Sequence, residues 1–92
     1  MGERFDLPKG FPTGEQLETE TVNAIKEHGG TATTTEIKDY IVKKLKLSDE
    51  VLEFENSDGL TMLIDYRLRW ARTSLKNKKL ITSETRGVWK SV

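Results

Sequence analysis

The sequence predicts a mainly α-helical domain with a small β-hairpin, arranged as a winged helix-turn-helix. Three observations lead to this prediction. Apolar residues recur at helical spacing in three long segments, two strand-like segments separated by a turn end the sequence, and lysine and arginine are concentrated in its last third. A length of 92 residues suggests one domain. We expect residues 13–92 to form the winged-helix domain and residues 1–12 to form an extended arm.

The first long helix has a clear predicted start and end. Thr13 and Gln16 have the spacing of a capping box, in which each side chain accepts a hydrogen bond from the other residue's backbone N–H. Gly29 and Gly30 end the helix, because glycine adopts the left-handed conformation at little steric cost. The residues that recur at helical spacing are Leu17, Thr21, Ala24, Ile25 and His28.

A short strand and two further helices are predicted next. The β-prone residues 31–34 suit a single small strand, which is a plausible third strand beside the terminal hairpin. Thr34 or Thr35 is expected to cap a second helix that runs to about Leu47. Ser48 begins a short helical turn that continues through Phe54, and residues 56–59 have the chemistry of a loop. The inward residues of the second helix are Ile37, Tyr40, Ile41 and Leu45.

The third long helix covers about residues 62–77 and is predicted to be the recognition helix. Its apolar stripe consists of Ile64, Leu68, Ala71 and Leu75. The opposite stripe consists of Tyr66, Arg69, Thr73 and Lys76, with Arg72 on its shoulder. Residues 80–83 and 88–91 are strand-like and residues 84–87 supply the turn between them. Trp70 and Trp89 are expected to pack against the body of the domain.

Composition limits the chemistry that is open to this sequence. It contains no cysteine, which excludes disulfides, thiolate metal sites and thiol catalysis. It has no apolar run near the ~20 residues of a membrane span and no signal-peptide core, so we expect a cytoplasmic protein without a membrane partner. Residues 1–60 hold 13 acidic and 7 basic residues, a net charge of −6, whereas residues 61–92 hold 2 acidic and 8 basic residues, a net charge of +6. A segregated basic segment is typical of polyanion binding, although charge alone fits an ordinary solvated surface equally well.

No catalytic, cofactor or metal site is predicted. His28, the one histidine, lies in the last turn of the first helix, where it suits the helix dipole. Glu36 and Lys38 match a Glu-x-Lys nuclease tripeptide, but they fall in the first turn of a predicted helix, where Glu36 suits the dipole. Five acidic residues between positions 49 and 58 lack the spacing of a calcium loop.

The basic residues of the third helix and hairpin are the candidate DNA-binding set. Arginine offers a planar fork of donors that grips phosphate or the O6/N7 edge of guanine. Threonine at the start of the second helix is placed to donate to a phosphate. The predicted DNA-binding residues are Thr34, Thr35, Tyr66, Arg69, Arg72, Thr73, Lys76, Arg86 and Lys90.

Two motifs resemble the N-terminal domain of Mrr-type restriction endonucleases. Residues 67–76 read Arg-x-x-Trp-Ala-x-x-x-Leu-Lys, and residues 86–89 read Arg-Gly-x-Trp after a leucine, Leu80, that opens the hairpin. The resemblance covers about residues 13–92. It implies a non-catalytic winged-helix module that binds double-stranded, commonly methylated DNA and delivers a separate nuclease domain, whose metal-binding carboxylates and lysine have no counterpart in this sequence.

The sequence departs from the family pattern at two places. Tyr66 stands where the family often has asparagine, so the base preference is expected to differ. Lys78 and Lys79 stand where the family often has Ala-Gly, and without glycine a left-handed helix stop costs ~1 kcal/mol unless Asn77 adopts it.

The alternative to DNA binding is a winged helix that is used for protein–protein contact or self-association. An exposed apolar patch formed by the two tryptophans, Phe5 and Phe11 would favour it.

Overall fold

The computed structural model describes residues 7–57 and 59–92. The elements in chain order are α1 (Gly14–Glu27), β1 (Thr31–Thr33), α2 (Thr34–Leu45), α3 (Asp49–Glu53), α4 (Leu63–Asn77), β2 (Ile81–Thr85) and β3 (Val88–Ser91). The fold is mainly helical with a small three-stranded antiparallel sheet, as predicted, and it is compatible with a winged helix. We call the β2–β3 hairpin the wing. No helix in the described ranges is both long and apolar enough to cross a membrane.

The starts of α1 and α2 use the same capping motif. The predicted box of Thr13 and Gln16 is confirmed. The prediction that Thr34 or Thr35 caps α2 is wrong, because Thr33 is the cap: its side chain accepts from the Glu36 N–H at 3.1 Å, and Glu36 accepts from the Thr33 N–H at 2.9 Å. Thr33 is the favoured N-cap because Glu36 follows it by three residues and completes the capping box.

Left-handed lysines stand at the ends of α2 and α4. The helix α2 ends at Leu45, two residues before the predicted end, with Lys46 in the left-handed conformation. At the end of α4 the left-handed residue is Lys79, with φ 64°, and not Asn77. The N–H groups of Lys79 and Leu80 donate to Lys76 and Leu75 at 2.9 Å each, which is the hydrogen-bond pattern of a Schellman stop.

The sheet joins the first half of the domain to the wing. The strand β3 is central and antiparallel to both β1 and β2, so the predicted third strand is confirmed. In the β1–β3 register, Ala32 lies opposite Trp89. The N–H of Thr34 donates to the Gly87 carbonyl at 3.0 Å. The start of α2 is therefore attached to the turn of the wing.

The core lies between α1, α2, α4 and the inner face of the sheet. The predicted stripe of α4 is buried in full, and Thr21 satisfies its buried hydroxyl by donating to the Leu17 carbonyl at 2.6 Å. The core cluster consists of Leu17, Ala24, Ile25, Ala32, Ile37, Ile41, Ile64, Leu68, Ala71, Leu75 and Ile81. The predicted inward residues Tyr40 and Leu45 are half-buried against it.

The aromatic residues divide between packing and exposure. Trp89 packs against the core, as expected. The prediction that Trp70 packs is wrong, since 55% of this residue is exposed. Phe11 contacts Phe54 edge to face with ring centres 6.5 Å apart, which ties the end of the arm to the domain. Phe5 lies outside the described residues.

Candidate nucleic-acid interface

The outward face of α4 is polar and basic. Arg69 and Lys76 are exposed and Tyr66 is 38% exposed, whereas Thr73 is half-buried. All four lie on the stripe opposite the buried residues, because positions three and four apart share a face of a helix. The helix therefore presents charge to solvent while its other side holds the core.

Arg72 lies on the shoulder of this face and turns toward the wing. Its guanidinium carbon is 5.8 Å from the centre of the Trp89 ring on β3. Its Nε is buried and has no hydrogen-bond partner among the described residues. Burial, followed by the positive charge of Arg69, lowers the pKa of Arg72, and Asp65 opposes this shift. A buried N–H without an acceptor costs free energy, so this side chain is held in place at some expense to stability.

The ion pairs in the described part of the chain use lysines outside the basic face of α4. The ion pairs are Lys38–Asp65 at 2.8 Å, Lys78–Glu18 at 2.9 Å, Lys44–Glu20 at 3.8 Å and Lys90–Glu84 at 4.0 Å. Within residues 7–57 and 59–92, Arg69, Arg72 and Lys76 form no such pair. We call these three residues the basic cluster. Its charge is open to an external anion.

The wing adds a second basic position. Arg86 is exposed in the turn between β2 and β3. The contact of Thr34 with Gly87 brings this turn beside the start of α2, where Thr35 is exposed. The Thr34 hydroxyl also donates to the Gly87 carbonyl at 3.4 Å. The structure thus brings Thr34, Thr35 and Arg86 together.

Lys90 stands apart from the basic cluster. Successive side chains of a strand point to opposite faces of the sheet, so Lys90 faces away from the side on which Trp89 covers Arg72. Its Nζ lies 4.0 Å from the Glu84 carboxylate. A DNA contact by Lys90 stays a prediction.

An exposed aromatic pair on α4 is a feature that the sequence reading missed. Tyr66 and Trp70 contact each other edge to face, with ring centres 6.2 Å apart and planes at 68°. Tyr66 and Trp70 are four residues apart on one helix, and side chains at this spacing are expected to contact each other. The pair extends the outward face of α4 on the side away from Arg72.

A small cavity lies at the first turns of α4. Its volume is about 120 Å³ and it is lined by Thr61, Asp65, Tyr66 and Arg69. The Asp65 carboxylate is held from the neighbouring helix by the Nζ of Lys38. The lining of the cavity therefore contains a hydrogen-bond acceptor, the Asp65 carboxylate, and the donors of Arg69, which is one helical turn later.

The side chains of His28 and Glu36 contact backbone atoms at the ends of helices. The Nδ1 of His28 lies 2.9 Å from the Ala24 carbonyl, at the end of α1, as the dipole argument predicts. Glu36 is occupied in the cap of α2. No group of three or more histidine or acidic side chains in the described part of the chain is arranged to hold a metal.

Comparison with protein families connects this geometry to one of them. A family model described as the Mrr N-terminal domain matches residues 15–90, which include every helix and strand except the first and last residues. The match confirms the resemblance carried by the motifs of α4 and the wing. Neither the curated proteins nor the solved structures contain a match.

Proposed function

The chain belongs to the Mrr N-terminal domain family, and from this premise we propose that it is a double-stranded DNA-binding module. Its role is to target an Mrr-type nuclease to modified, commonly methylated DNA in the cytoplasm. The nuclease activity resides in a separate catalytic domain, and this domain itself is non-catalytic. The observation that carries the proposal is the basic cluster on α4, above all the half-buried Arg72, whose Nε has no acceptor among the described residues.

The dimensions of α4 support insertion into the major groove. An α-helix with its side chains is about 10–12 Å wide, and the major groove of B-DNA is about 12 Å wide. The buried stripe of α4 leaves the basic cluster on the side that would enter the groove. The groove-facing residues in this proposal are Tyr66, Arg69, Arg72, Thr73 and Lys76.

The wing and the start of α2 supply contacts to the DNA backbone. Arg86 is placed to hold a phosphate from the turn of the wing, and Lys90 is assigned to the same role. The helix start at Thr34 and Thr35 has the positive end of a helix dipole, which favours phosphate. The N–H and hydroxyl of Thr34 donate to the Gly87 carbonyl, so Thr35 is the residue placed to donate to a phosphate. Contacts of this kind position the helix and carry no sequence information.

Salt-dependent titration of a labelled duplex tests DNA binding. Five contacted phosphates give a slope of log K against log[salt] of roughly −4.5. Replacing Arg69 by alanine should weaken binding, reduce the slope by about 1 if it contacts a phosphate, and leave thermal stability nearly unchanged. Lys26→Ala on α1 is the matched control, because it removes an exposed cation outside the interface. No binding at low salt would refute the proposal.

The modification preference needs a separate measurement. Methylated and unmethylated duplexes of one sequence should differ in affinity if the family's targeting role applies to this chain. Equal affinity for both would contradict the modification preference and leave the proposal as binding of double-stranded DNA irrespective of modification.

A second function is favoured by one observation. Trp70 is 55% exposed and contacts the exposed Tyr66, so α4 presents an aromatic surface that suits protein–protein contact or self-association. Trp89 and Phe11 are half-buried and do not extend this surface into a large patch. Light scattering that shows a stable dimer, together with a lack of DNA affinity, would favour this function over DNA binding.

A further inference from the structure

Asp65 is an acidic residue on an otherwise basic helix. The sequence of α4, LIDYRLRWARTSLKN, contains one carboxylate and four cations. Asp65 lies in the first turn, where a negative charge suits the helix dipole. A carboxylate on a helix that enters a DNA groove is repelled by phosphates, and a hydrogen-bond donor on a base edge would offset this repulsion.

Asp65 forms an ion pair with the helix α2, and its carboxylate remains accessible. Lys38 of α2 holds Oδ1 at 2.8 Å, and 45% of the Asp65 side chain is exposed. The cavity beside it has a volume of about 120 Å³, whereas pockets for whole small molecules measure about 300–1,000 Å³. The cavity is suited to the edge of a base and not to a complete ligand.

The lining of this cavity combines an acceptor with a strong donor. Asp65 and Arg69 are four residues apart, so they lie one above the other on α4, separated by about 6 Å along the axis. That separation is less than two base-pair steps of about 3.4 Å. In the major groove, cytosine presents an N4 amino donor and guanine presents the O6 and N7 acceptors, which match carboxylate and arginine respectively.

We infer that Asp65 and Arg69 read a cytosine and a guanine in one base pair or in adjacent base pairs. Asp65 accepts from the cytosine amino group and Arg69 donates to guanine O6 and N7. Lys38 is a positioning residue that holds the carboxylate toward the groove. This inference rests on the proposed DNA-binding function and gives it a base preference.

Selection from a duplex library with a randomised centre tests the inference. The wild-type protein should enrich C·G over T·A at a central position by about ten-fold, in line with the discrimination of one good base contact. Asp65→Asn places an amide there, which pairs with the N6/N7 edge of adenine, so the preference should move toward A·T. Asp39→Asn on α2 removes an exposed carboxylate away from the cavity and should leave the preference at C·G.

The outcomes separate this inference from DNA binding as such. Tight, salt-dependent binding without C·G enrichment, or an unchanged preference in Asp65→Asn, overturns the base reading and leaves DNA binding intact. The absence of any binding at low salt overturns both. A duplex with 7-deazaguanine at the selected position tests Arg69 on the unaltered protein: about ten-fold weaker binding supports the contact, and unchanged binding contradicts it.

Discussion

Arg72 carries its charge on a half-buried side chain that lies against the Trp89 ring. A cation–π contact with the ring favours positions of the guanidinium beside Trp89, which limits the conformations of the Arg72 side chain. Arginine stays charged at physiological pH even with its pKa lowered by burial. The residue is therefore a preorganised anion contact in the proposed DNA interface.

Arg72→Leu should reduce DNA affinity by at least about ten-fold, since a hydrogen bond to a charged group contributes about 1.5–3 kcal/mol. Its free energy of unfolding should change by less than about 1 kcal/mol, because loss of the cation–π contact is offset by removal of the unpartnered Nε. Duplex titration and urea denaturation measure the two quantities.

Arg67→Leu is the matched control for this substitution. The Arg67 guanidinium carbon lies 5.8 Å from the centre of the Phe11 ring, so it makes the same type of contact outside the basic cluster. We expect Arg67→Leu to affect stability more than DNA affinity. Equal losses of affinity in both variants would show that DNA affinity depends on the total charge of α4 and not on the position of Arg72.

At the scale of elements, Thr33 serves both β1 and α2. Its backbone is extended, with φ −80° and ψ 165°, which suits the last residue of a strand and the N-cap of a helix. The strand therefore passes into the helix without a loop. This direct junction places the start of α2 against Gly87 in the wing.

Thr33→Ala should lower the free energy of unfolding by about 1 kcal/mol, because it removes one of the two hydrogen bonds in the capping box. Thr35→Ala should cost little, since Thr35 is exposed and does not cap the helix. Urea denaturation of both variants checks the difference. A larger loss in Thr35→Ala would contradict the assignment of the cap.

At the scale of the whole molecule, ion pairs connect the acidic and basic parts of the chain. Residues 1–60 carry a net charge of −6 and residues 61–92 a net charge of +6. The Glu18–Lys78 pair joins α1 to the end of α4, and the Lys38–Asp65 pair joins α2 to its start. These ion pairs neutralise part of the opposite charges of the two segments. The basic cluster forms no ion pair among the described residues and keeps its positive charge.

The Glu18–Lys78 pair makes a pH-dependent contribution to stability. The hydrogen bond from Lys78 lowers the pKa of Glu18 from its ordinary value of 4.5. Because the folded pKa is the lower one, the contribution is present above about pH 4.5 and is lost as the pH falls through the folded pKa. Glu18→Gln should therefore cost about 0.5 kcal/mol at neutral pH and nothing in strong acid.

Thermal unfolding of Glu18→Gln across this pH range measures the effect. Glu55→Gln is the control, because Glu55 is exposed and forms no ion pair among the described residues. A constant difference between wild type and Glu18→Gln at every pH would contradict the assigned role of the carboxylate.

Features that depend on neighbours along the chain could be predicted from the sequence. The Thr13 capping box, the glycine stop of α1, the buried stripe of α4 and the wing followed from spacing and turn chemistry, since these are properties of a few consecutive residues. The resemblance to the Mrr family followed from the motifs on α4 and the wing. The left-handed conformation of Lys79 did not follow, because a lysine has no local preference for it.

The burial of charged and aromatic side chains depends on contacts between elements that are distant in sequence. Arg72 meets Trp89 because the wing folds back beside α4, and Trp70 stays exposed because no described element covers that side of the helix. Lys38 reaches Asp65 only because α2 and α4 both pack against α1, which brings the two side chains within reach of each other. Helical periodicity predicts the direction in which a side chain leaves the helix axis. The burial of that side chain and its charged partners depend on residues that are distant in sequence.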